Sequence, residues 1–149
     1  MKIKTIFFAL TLLIGFSAFA QSTIPEGFVA GKIVLSNGTE ISGYLKDNIR
    51  KKSSIVFYNP ANNKKETLDA NSLNEVSLND SKYLCLYGDF FKVVTPGEHA
   101  VLIKSSDAAG KPFFNGVETI INKGTDGKID DQFEYAANTN ELKPIHKKG

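Results

Sequence analysis

The fold is decided by one stretch of the chain, Gly31-Lys32-Ile33-Val34-Leu35-Ser36-Asn37-Gly38-Thr39-Glu40-Ile41-Ser42-Gly43-Tyr44-Leu45. Apolar and polar residues alternate on both sides of its centre, and a period of two is typical of a strand with one buried face. The Asn-Gly pair at the centre is typical of a tight hairpin turn. The stretch therefore predicts an antiparallel β-hairpin.

Two registers compete for this hairpin. A two-residue turn pairs Leu35 with Glu40 and mixes apolar and charged side chains on one face. A three-residue loop, Ser36 to Gly38 with Gly38 left-handed as a bulge, pairs Leu35 with Thr39 instead. It also pairs Ile33 with Ile41, Gly31 with Gly43 and Val29 with Leu45, which places Val29, Ile33, Leu35, Ile41 and Leu45 on one face. Since burial of one face fixes the register of a strand, we predict the bulged loop.

The rest of the chain favours strands as well. Its apolar residues come in runs of four to eight, separated by Gly, Pro, Asn and Asp, which indicates an all-β sandwich or barrel. The residues Asp69 to Leu73 are expected to form one helical turn, and Arg50-Lys51-Lys52 is interpreted as a solvated turn. The predicted strands are Phe28–Leu35, Thr39–Lys46, Ser54–Tyr58, Lys65–Asp69, Glu75–Leu78, Lys82–Tyr87, Phe90–Thr95, Ala100–Lys104, Val117–Asn122, Gln132–Ala136 and Leu142–Ile145.

Residues 28–78 resemble an SH3-like or Sm-like barrel. The resemblance rests on the hairpin quoted above, on a following strand Ile55-Val56-Phe57-Tyr58, and on a polar strand, helical turn and last strand between Glu66 and Leu78. It implies a small barrel or sandwich whose first half is SH3-like or Sm-like. Sm-like proteins that bind RNA do so through specific loop residues and basic surfaces that this sequence does not match, so RNA binding is not implied.

Most of the mature chain, the hairpin included, resembles uncharacterised exported β-domain proteins of Bacteroidota. The shared features are the G-x-I and G-x-L motifs of the hairpin, a segment like Phe90-Phe91-Lys92-Val93-Val94, and a final pair like Phe133-Glu134-Tyr135 and Leu142-Lys143-Pro144-Ile145. This resemblance implies export and a small β domain. It implies no activity.

The first twenty residues are typical of a secretory signal peptide. Lys2 and Lys4 precede an apolar stretch, Ile6 to Phe16, and the small residues Ala18 and Ala20 form the A-x-A pattern that precedes cleavage, so the mature chain is expected to begin at Gln21. The alternative is an uncleaved membrane anchor, but the stretch is short for a span. We expect residues 5–18 to form a helix that packs poorly on the β domain. The predicted division is 1–20 signal peptide, 21–27 mobile linker, 28–145 single β domain and 146–149 mobile tail.

Charge and cysteine content limit the function. The chain has 18 basic and 16 acidic residues, and loss of Lys2 and Lys4 with the signal leaves 16 of each. A neutral mature protein with Arg50 as its one arginine argues against a nucleic-acid partner. Cys85 is the one cysteine, which excludes an intramolecular disulfide, and its strand setting predicts a buried, inert thiol. Because the residue after the expected cut is Gln21 and not a cysteine, a lipoprotein is not expected.

Candidate chemistry is sparse in this sequence. His99, in an expected hairpin turn, and His146, in the tail, lack metal-ligand spacing, and the Ser53-Ser54 and Ser105-Ser106 pairs have no neighbouring base. The segment Gly124 to Asp131 suggests a calcium loop, but counting from Asp126 the third and sixth positions of an EF-hand hold Lys128 and Asp131, so a solvated turn is favoured. Tyrosine rings can form a sugar-binding surface, and four tyrosines are candidates for one. Their strand positions favour packing instead for Tyr44, Tyr58, Tyr83 and Tyr87.

These observations predict an exported, non-enzymatic β-domain protein, periplasmic or extracellular, that serves as a binding or structural module of the cell envelope. Its expected partner is a protein or an envelope component, and no cofactor, metal or catalytic residue is predicted. After removal of the signal no membrane span is expected. Sheet edges offer a binding mode by strand addition. Two alternatives stay open: a carrier with a cavity for a small ligand, and a hydrolase in which a carboxylate, His99 or a serine converge in a deep pocket.

Overall fold

Antiparallel β-strands make up most of the computed structural model, which describes residues 23–145. The all-β prediction is therefore confirmed, while the predicted signal helix, its cleavage site at Ala18, Ala20 and Gln21, and His146 lie outside the described residues. The strands are β1 Val29–Leu35, β2 Glu40–Asn48, β3 Ser54–Asn59, β4 Lys64–Asp69, β5 Leu73–Leu78, β6 Ser81–Leu86, β7 Asp89–Thr95, β8 His99–Lys104, β9 Pro112–Phe114, β10 Thr119–Ile121, β11 Gln132–Ala136 and β12 Glu141–Pro144.

Ten of these strands form one sheet in the order β12-β11-β8-β7-β6-β5-β1-β2-β3-β4, and β9 and β10 form a separate two-stranded sheet. A helical turn, α1 (Ile49–Lys52), links β2 to β3, and a 3₁₀ turn, Ala70–Ser72, links β4 to β5. The carboxylate of Asp69 accepts hydrogen bonds from the backbone N–H groups of Asn71 and Ser72 and so caps the 3₁₀ turn. No helix within residues 23–145 has the length and apolar character needed to cross a membrane.

The first hairpin has the bulged register that the sequence predicts. Leu35 N donates to Thr39 O at 2.8 Å, Gly38 N donates to Leu35 O at 2.8 Å, and Gly38 has a φ of 88°. Further along, Ile33 lies opposite Ile41 and Gly31 opposite Gly43. The apolar face is thus turned inward as a unit, and on the other face Lys32 forms an ion pair with Glu40.

The two faces of the sheet bury two separate cores. The larger core belongs mainly to β1–β5, and Phe90 of β7 is a fully buried member of it. The next residue, Phe91, points to the opposite face, where it packs edge-on against Phe133 with ring centroids 5.5 Å apart. The smaller core on that face is formed by Phe91, Ala100, Leu102 and Phe133, with Leu84, Leu86, Val93, Tyr135 and Leu142 packed against it.

The structure refines three local features of the prediction. Arg50-Lys51-Lys52 is exposed, as a solvated turn requires, and the turn is the helical turn α1, because the left-handed Ser53 donates from its N–H to Ile49 O at 2.9 Å and closes it. A strand at Pro112–Phe114 was not predicted, since proline is depleted in strands. His99 is the first residue of β8 and not part of the preceding turn.

Candidate functional site

A buried cluster of polar side chains, which we call the polar hub, organises one end of the smaller core. Its centre is Asp89, whose carboxylate has no exposed surface. One oxygen, Oδ1, accepts from Ser106 Oγ at 3.0 Å and from Ala108 N at 2.9 Å, while Oδ2 accepts from Thr125 N at 3.0 Å and Thr125 Oγ1 at 2.8 Å. The hub thereby joins the start of β7 to two loops that are distant in sequence.

Lys104 supplies the positive charge of the polar hub. Its ammonium is fully buried and lies 3.7 Å from Asp89 Oδ2. It donates to the backbone oxygen of Thr125 at 2.6 Å and to that of Gly127 at 3.1 Å. A buried charge pair is tolerated when its remaining hydrogen-bonding capacity is satisfied, and no buried side-chain nitrogen or oxygen in residues 23–145 lacks a partner. The loop Gly124–Asp131 is therefore wrapped around a lysine side chain.

Most of Gly124–Asp131 is exposed, as expected for a solvated turn, but the structure shows in addition that the loop is held from within. Thr125 and Gly127 direct their carbonyl groups at the Lys104 ammonium, and the backbone of Lys104 also exchanges hydrogen bonds with Asp130 and Asp131 at 2.8 and 3.0 Å. The loop is held from both its backbone and its interior. Within the described residues, no three His, Cys, Asp or Glu side chains come together as metal ligands.

An open groove of about 1080 Å³ lies beside the polar hub. One wall is the loop that Lys104 holds, and the other is formed by β11, β12 and the turn between them. Phe133 and Leu142 of the smaller core contribute apolar side chains. The lining residues are Tyr87, Gly124, Thr125, Asp126, Gly127, Asp130, Asp131, Gln132, Phe133, Asn140, Glu141, Leu142, Lys143, Pro144 and Ile145.

Tyr87, between β6 and β7, lines the groove and contacts the β11–β12 turn. It follows β6 in a left-handed conformation, is 58% exposed, and donates from its hydroxyl to Asn140 O at 2.9 Å. The hydroxyl of Tyr135 donates to Asn140 Oδ1 at 3.0 Å. Burial, followed by a smaller effect of Tyr87, raises the pKa of Tyr135, so this phenol stays a protonated donor near neutral pH. The β11–β12 turn is fixed by two tyrosines.

The groove is more acidic than the protein as a whole. Its lining contains four carboxylates, Asp126, Asp130, Asp131 and Glu141, and one cation, Lys143. Lys143 pairs with Glu141 at 3.3 Å, and Asp130 accepts two hydrogen bonds of 2.8 Å from the guanidinium of Arg50. These bonds from Arg50 lower the pKa of Asp130 and keep it charged. They also connect α1 to the groove wall across the two halves of the chain.

The histidine and serine candidates from the sequence do not meet in this groove. His99 lies 3.3 Å from Glu134, and strand alternation places both on the sheet face opposite Phe133 and Tyr135. Ser106 is buried in the polar hub, where its hydroxyl accepts from Phe90 N at 2.9 Å. Among residues 23–145, no histidine, cysteine or serine lines the groove.

Cys85 and the tyrosines occupy mostly packing positions. Cys85 is packed against the larger core, and burial, with Glu75 and Asp69 adding to it, raises the pKa of its thiol well above the ordinary value. The packed setting predicted for Cys85 is therefore confirmed in part, since its side chain is half-buried, and its low reactivity stays a prediction. Packing is also confirmed for Tyr58, which is buried, and for Tyr83. Tyr44 contacts Tyr58, with their ring centroids 6.4 Å apart. Of the four tyrosines considered for sugar binding, Tyr87 is the one whose exposed ring lines the groove.

Sequence reasoning missed the polar hub. Asp89 and Lys104 are fifteen positions apart and look like ordinary charged ends of two strands. The one usable signal is that each charge directly adjoins an apolar strand, Asp89 before Phe90-Phe91 and Lys104 after Val101-Leu102-Ile103. No protein-family model, curated protein or solved structure matches this chain.

Proposed function

We propose that the mature protein is an exported, non-enzymatic binding module of the cell envelope and that the groove beside the polar hub is its recognition surface. The observation that carries this proposal is the construction of the groove. Its walls include a loop and a β-turn, and each is held by buried or aromatic groups, Lys104 on one side and the Tyr87–Asn140–Tyr135 cluster on the other. A surface fixed in advance loses less entropy on binding, which favours recognition.

The groove also borders an open sheet edge. β12 is the last strand of the sheet order and pairs on one side with β11. Because Ile145 N donates to Gln132 O, alternation turns the N–H and C=O of Leu142 away from β11. Pro144 carries no N–H, which limits the length of any added strand. A short extended segment that contacts both Leu142 and the groove lining fits this edge.

We further infer that β1–β5 form an SH3-like barrel. The order β5-β1-β2-β3-β4 and the 3₁₀ turn immediately before β5 support this inference. Such a barrel is a common scaffold for binding surfaces, but fold alone does not define function. The groove lies outside β1–β5, so the proposed recognition surface belongs to the strands that follow the barrel.

The export part of the proposal is tested by the mass of the protein recovered from the envelope fraction. Cleavage after Ala20 gives a chain that begins at Gln21. A mature protein that retains residues 1–20 contradicts the signal-peptide prediction and supports the anchor alternative.

The recognition part is tested by site-specific photocrosslinking in the producing cell. A photoreactive phenylalanine replaces Lys143, which is exposed at the groove. The matched control replaces Lys64, which is exposed on β4 at the other edge of the sheet. We expect one reproducible adduct from position 143 and none from position 64. Equal labelling from both positions, or no adduct from the groove, contradicts the proposal.

A second candidate, a carrier of a small apolar ligand, is favoured by a different hollow. A half-open hollow of about 430 Å³ lies between β5, β6, β7, β8 and β11, and its lining includes Leu84, Leu86, Val93 and Tyr135. This volume lies in the range of small-molecule sites. The test is the fluorescence of an anilinonaphthalene dye. V93F fills the hollow and is expected to abolish binding, whereas V94F, on the opposite face of β7, leaves it unchanged. Equal dye binding by both variants contradicts this candidate.

A further inference from the structure

The β9–β10 hairpin carries a concentration of exposed apolar side chains that the groove does not use. Phe114 is 68%, Val117 87% and Ile121 59% exposed. Register places Pro112, Phe114 and Ile121 on one face of the hairpin, and Val117 lies in the turn at its tip. Phe113 and Ile120 lie on the other face and are half-buried. Thr119 lies on the same face, opposite Phe114, and Val117 shares the turn with Asn115, Gly116 and Glu118. The hairpin therefore presents a mostly apolar face and one exposed valine at its tip to solvent.

The base of this hairpin is firmly attached to the domain. Asn122 N donates to Lys111 O at 2.8 Å, and Gly110 N donates to Asn122 O at 2.8 Å. The side chain of Asn122 is buried and bonds to Gly88 O and Gly124 N. The apolar face is thus presented by an element with a fixed position, since its base is anchored beside the polar hub.

Basic side chains surround the base. Lys111 adjoins β9, and its Nζ lies 3.4 Å from Ser53 Oγ, which brings the end of α1 next to the hairpin. Lys52 of α1 shares a shallow hollow with Lys111, Pro112 and Phe113. Lys51 precedes it in α1, and Lys123 follows the hairpin; all four lysines are exposed. Two carboxylates partly offset this positive charge: Glu118 in the hairpin turn, and Asp69, which caps the 3₁₀ turn.

We propose that this hairpin is a membrane-docking element that inserts Phe114, Val117 and Ile121 into the surface of an anionic lipid bilayer. The chemistry is complementary on two levels. Phe114, Val117 and Ile121 can insert at the boundary between headgroups and acyl chains. The lysines at the base can contact the anionic headgroups above that boundary. Three extended residues rise about 10 Å, which matches the depth of an interfacial insertion.

A lipid surface fits this element better than a second protein. Three side chains of this size expose roughly 400 Å² at most, whereas a stable interface needs about 800 Å² from each partner. Insertion into lipid requires only the apolar side chains themselves and a basic surround. The inference is independent of the groove, which lies on other residues, and it adds a location for the module to its proposed binding role.

The test is co-sedimentation of the processed protein with vesicles. Phosphatidylcholine vesicles that contain phosphatidylglycerol are compared with vesicles of pure phosphatidylcholine. We expect binding to the anionic vesicles that weakens with added salt. F114S/V117S is expected to weaken it at least about tenfold, because each substitution removes an inserted apolar group. V94S, also an exposed apolar residue but on β7, is the matched control and leaves binding unchanged.

The basic surround is tested separately. K51Q/K52Q is expected to weaken binding to anionic vesicles, whereas K64Q/K92Q, which removes the same charge elsewhere on the surface, has a smaller effect. E118Q removes the one carboxylate of the hairpin turn and is expected to strengthen binding. All variants alter exposed side chains, so unchanged thermal unfolding verifies that they are folded.

Three outcomes overturn the proposal. The first is no sedimentation with anionic vesicles under low salt. The second is equal loss of binding in F114S/V117S and V94S. The third is a concentration-dependent dimer that F114S/V117S abolishes while vesicle binding stays absent, since this result assigns the apolar face to a second copy of the chain.

Discussion

At the residue scale, Asp89 and Lys104 show how a charge pair is kept inside a small domain. Each is fully buried, and each is bonded to several groups of the surrounding loops. Removing one partner of a buried pair leaves the other charge without compensation, which is more costly than the pair itself is stabilising. The pair therefore determines the positions of the loops more than it adds to overall stability.

Lys104→Met is expected to lower the free energy of unfolding by about 3–5 kcal/mol, because the buried Asp89 loses its charge partner and two loop carbonyls lose their donor. Urea unfolding measures this loss. The control is Lys143→Met, which breaks an exposed pair with Glu141 and costs less than about 1 kcal/mol. Equal losses in the two variants contradict the structural role of Lys104.

Cys85 allows a prediction about reactivity. Because burial raises the pKa of its thiol, the thiolate is scarce in the folded protein even at pH 9, and alkylation by iodoacetamide is expected to be slow. In denaturing urea the thiol regains its ordinary pKa and reacts fast. Mass spectrometry of timed samples compares the two rates, and fast alkylation of the folded protein contradicts the buried position.

Residue-scale prediction from the sequence succeeded for Cys85 and failed for Lys104. An alternating apolar strand around Cys85 fixes its packing locally. The burial of Lys104 depends on Thr125 and Gly127, more than twenty positions away, and on how the intervening loop returns. A local pattern does not contain that information.

At the element scale, the β1–β2 hairpin is shaped by opposed glycines. A Cβ on Gly43 would lie 2.7 Å from the Phe57 ring and 2.8 Å from Tyr58 O, and a Cβ on Gly31 would lie 2.5 Å from Ser77 O. Both contacts are shorter than side chains tolerate, so the neighbouring strands approach each other only because these residues have no side chain. The glycine pair thus permits Phe57 and Tyr58 of β3 to approach Gly43, and Ser77 of β5 and Leu45 to approach Gly31.

Gly43→Ala is expected to destabilise the protein by about 2 kcal/mol through overpacking. Gly38→Ala serves as the comparison. Its Cβ would meet nothing within 4 Å, so only the left-handed φ of 88° opposes it, at about 1 kcal/mol. Chemical denaturation of both variants gives the order. A larger loss for Gly38→Ala contradicts the close approach at Gly43.

The sequence predicted this hairpin in detail, because alternation and an Asn-Gly turn together select one register. It did not predict β9, since Pro112 opens that strand, nor the helical turn α1, whose exposed Arg50, Lys51 and Lys52 give no apolar period. Short elements with exposed side chains carry little pattern. The groove could not be predicted from the sequence either, because it forms between a turn and a loop that come together only in the folded chain.

At the scale of the whole molecule, the two cores share strands. β6 and β7 contribute Cys85 and Phe90 to the larger core and Leu84 and Phe91 to the smaller one. Arg50 and Asp130 join the two halves again at the surface. Because β6 and β7 contribute to both cores, we expect the two halves of the described chain to unfold together.

A fragment that ends at Asp80 is expected to be unfolded, although it contains β1–β5 complete. It lacks Phe90, which is fully buried in the larger core, and loses Tyr83 and Cys85 from the same core. Circular dichroism and urea titration test this, with the intact chain as the control. A cooperative unfolding transition in the fragment contradicts the prediction and makes residues 28–78 a domain of their own.

The lysine at the centre of the Gly124–Asp131 loop has a consequence for the conditions under which the groove stays formed. A loop organised by a dissolved metal ion depends on the supply of that ion in the surroundings and collapses when a chelator removes it. Lys104 is attached to β8, so its charge is present in every copy of the folded chain at a fixed ratio of one to one. This wall of the groove therefore needs no metal ion from its surroundings to stay formed.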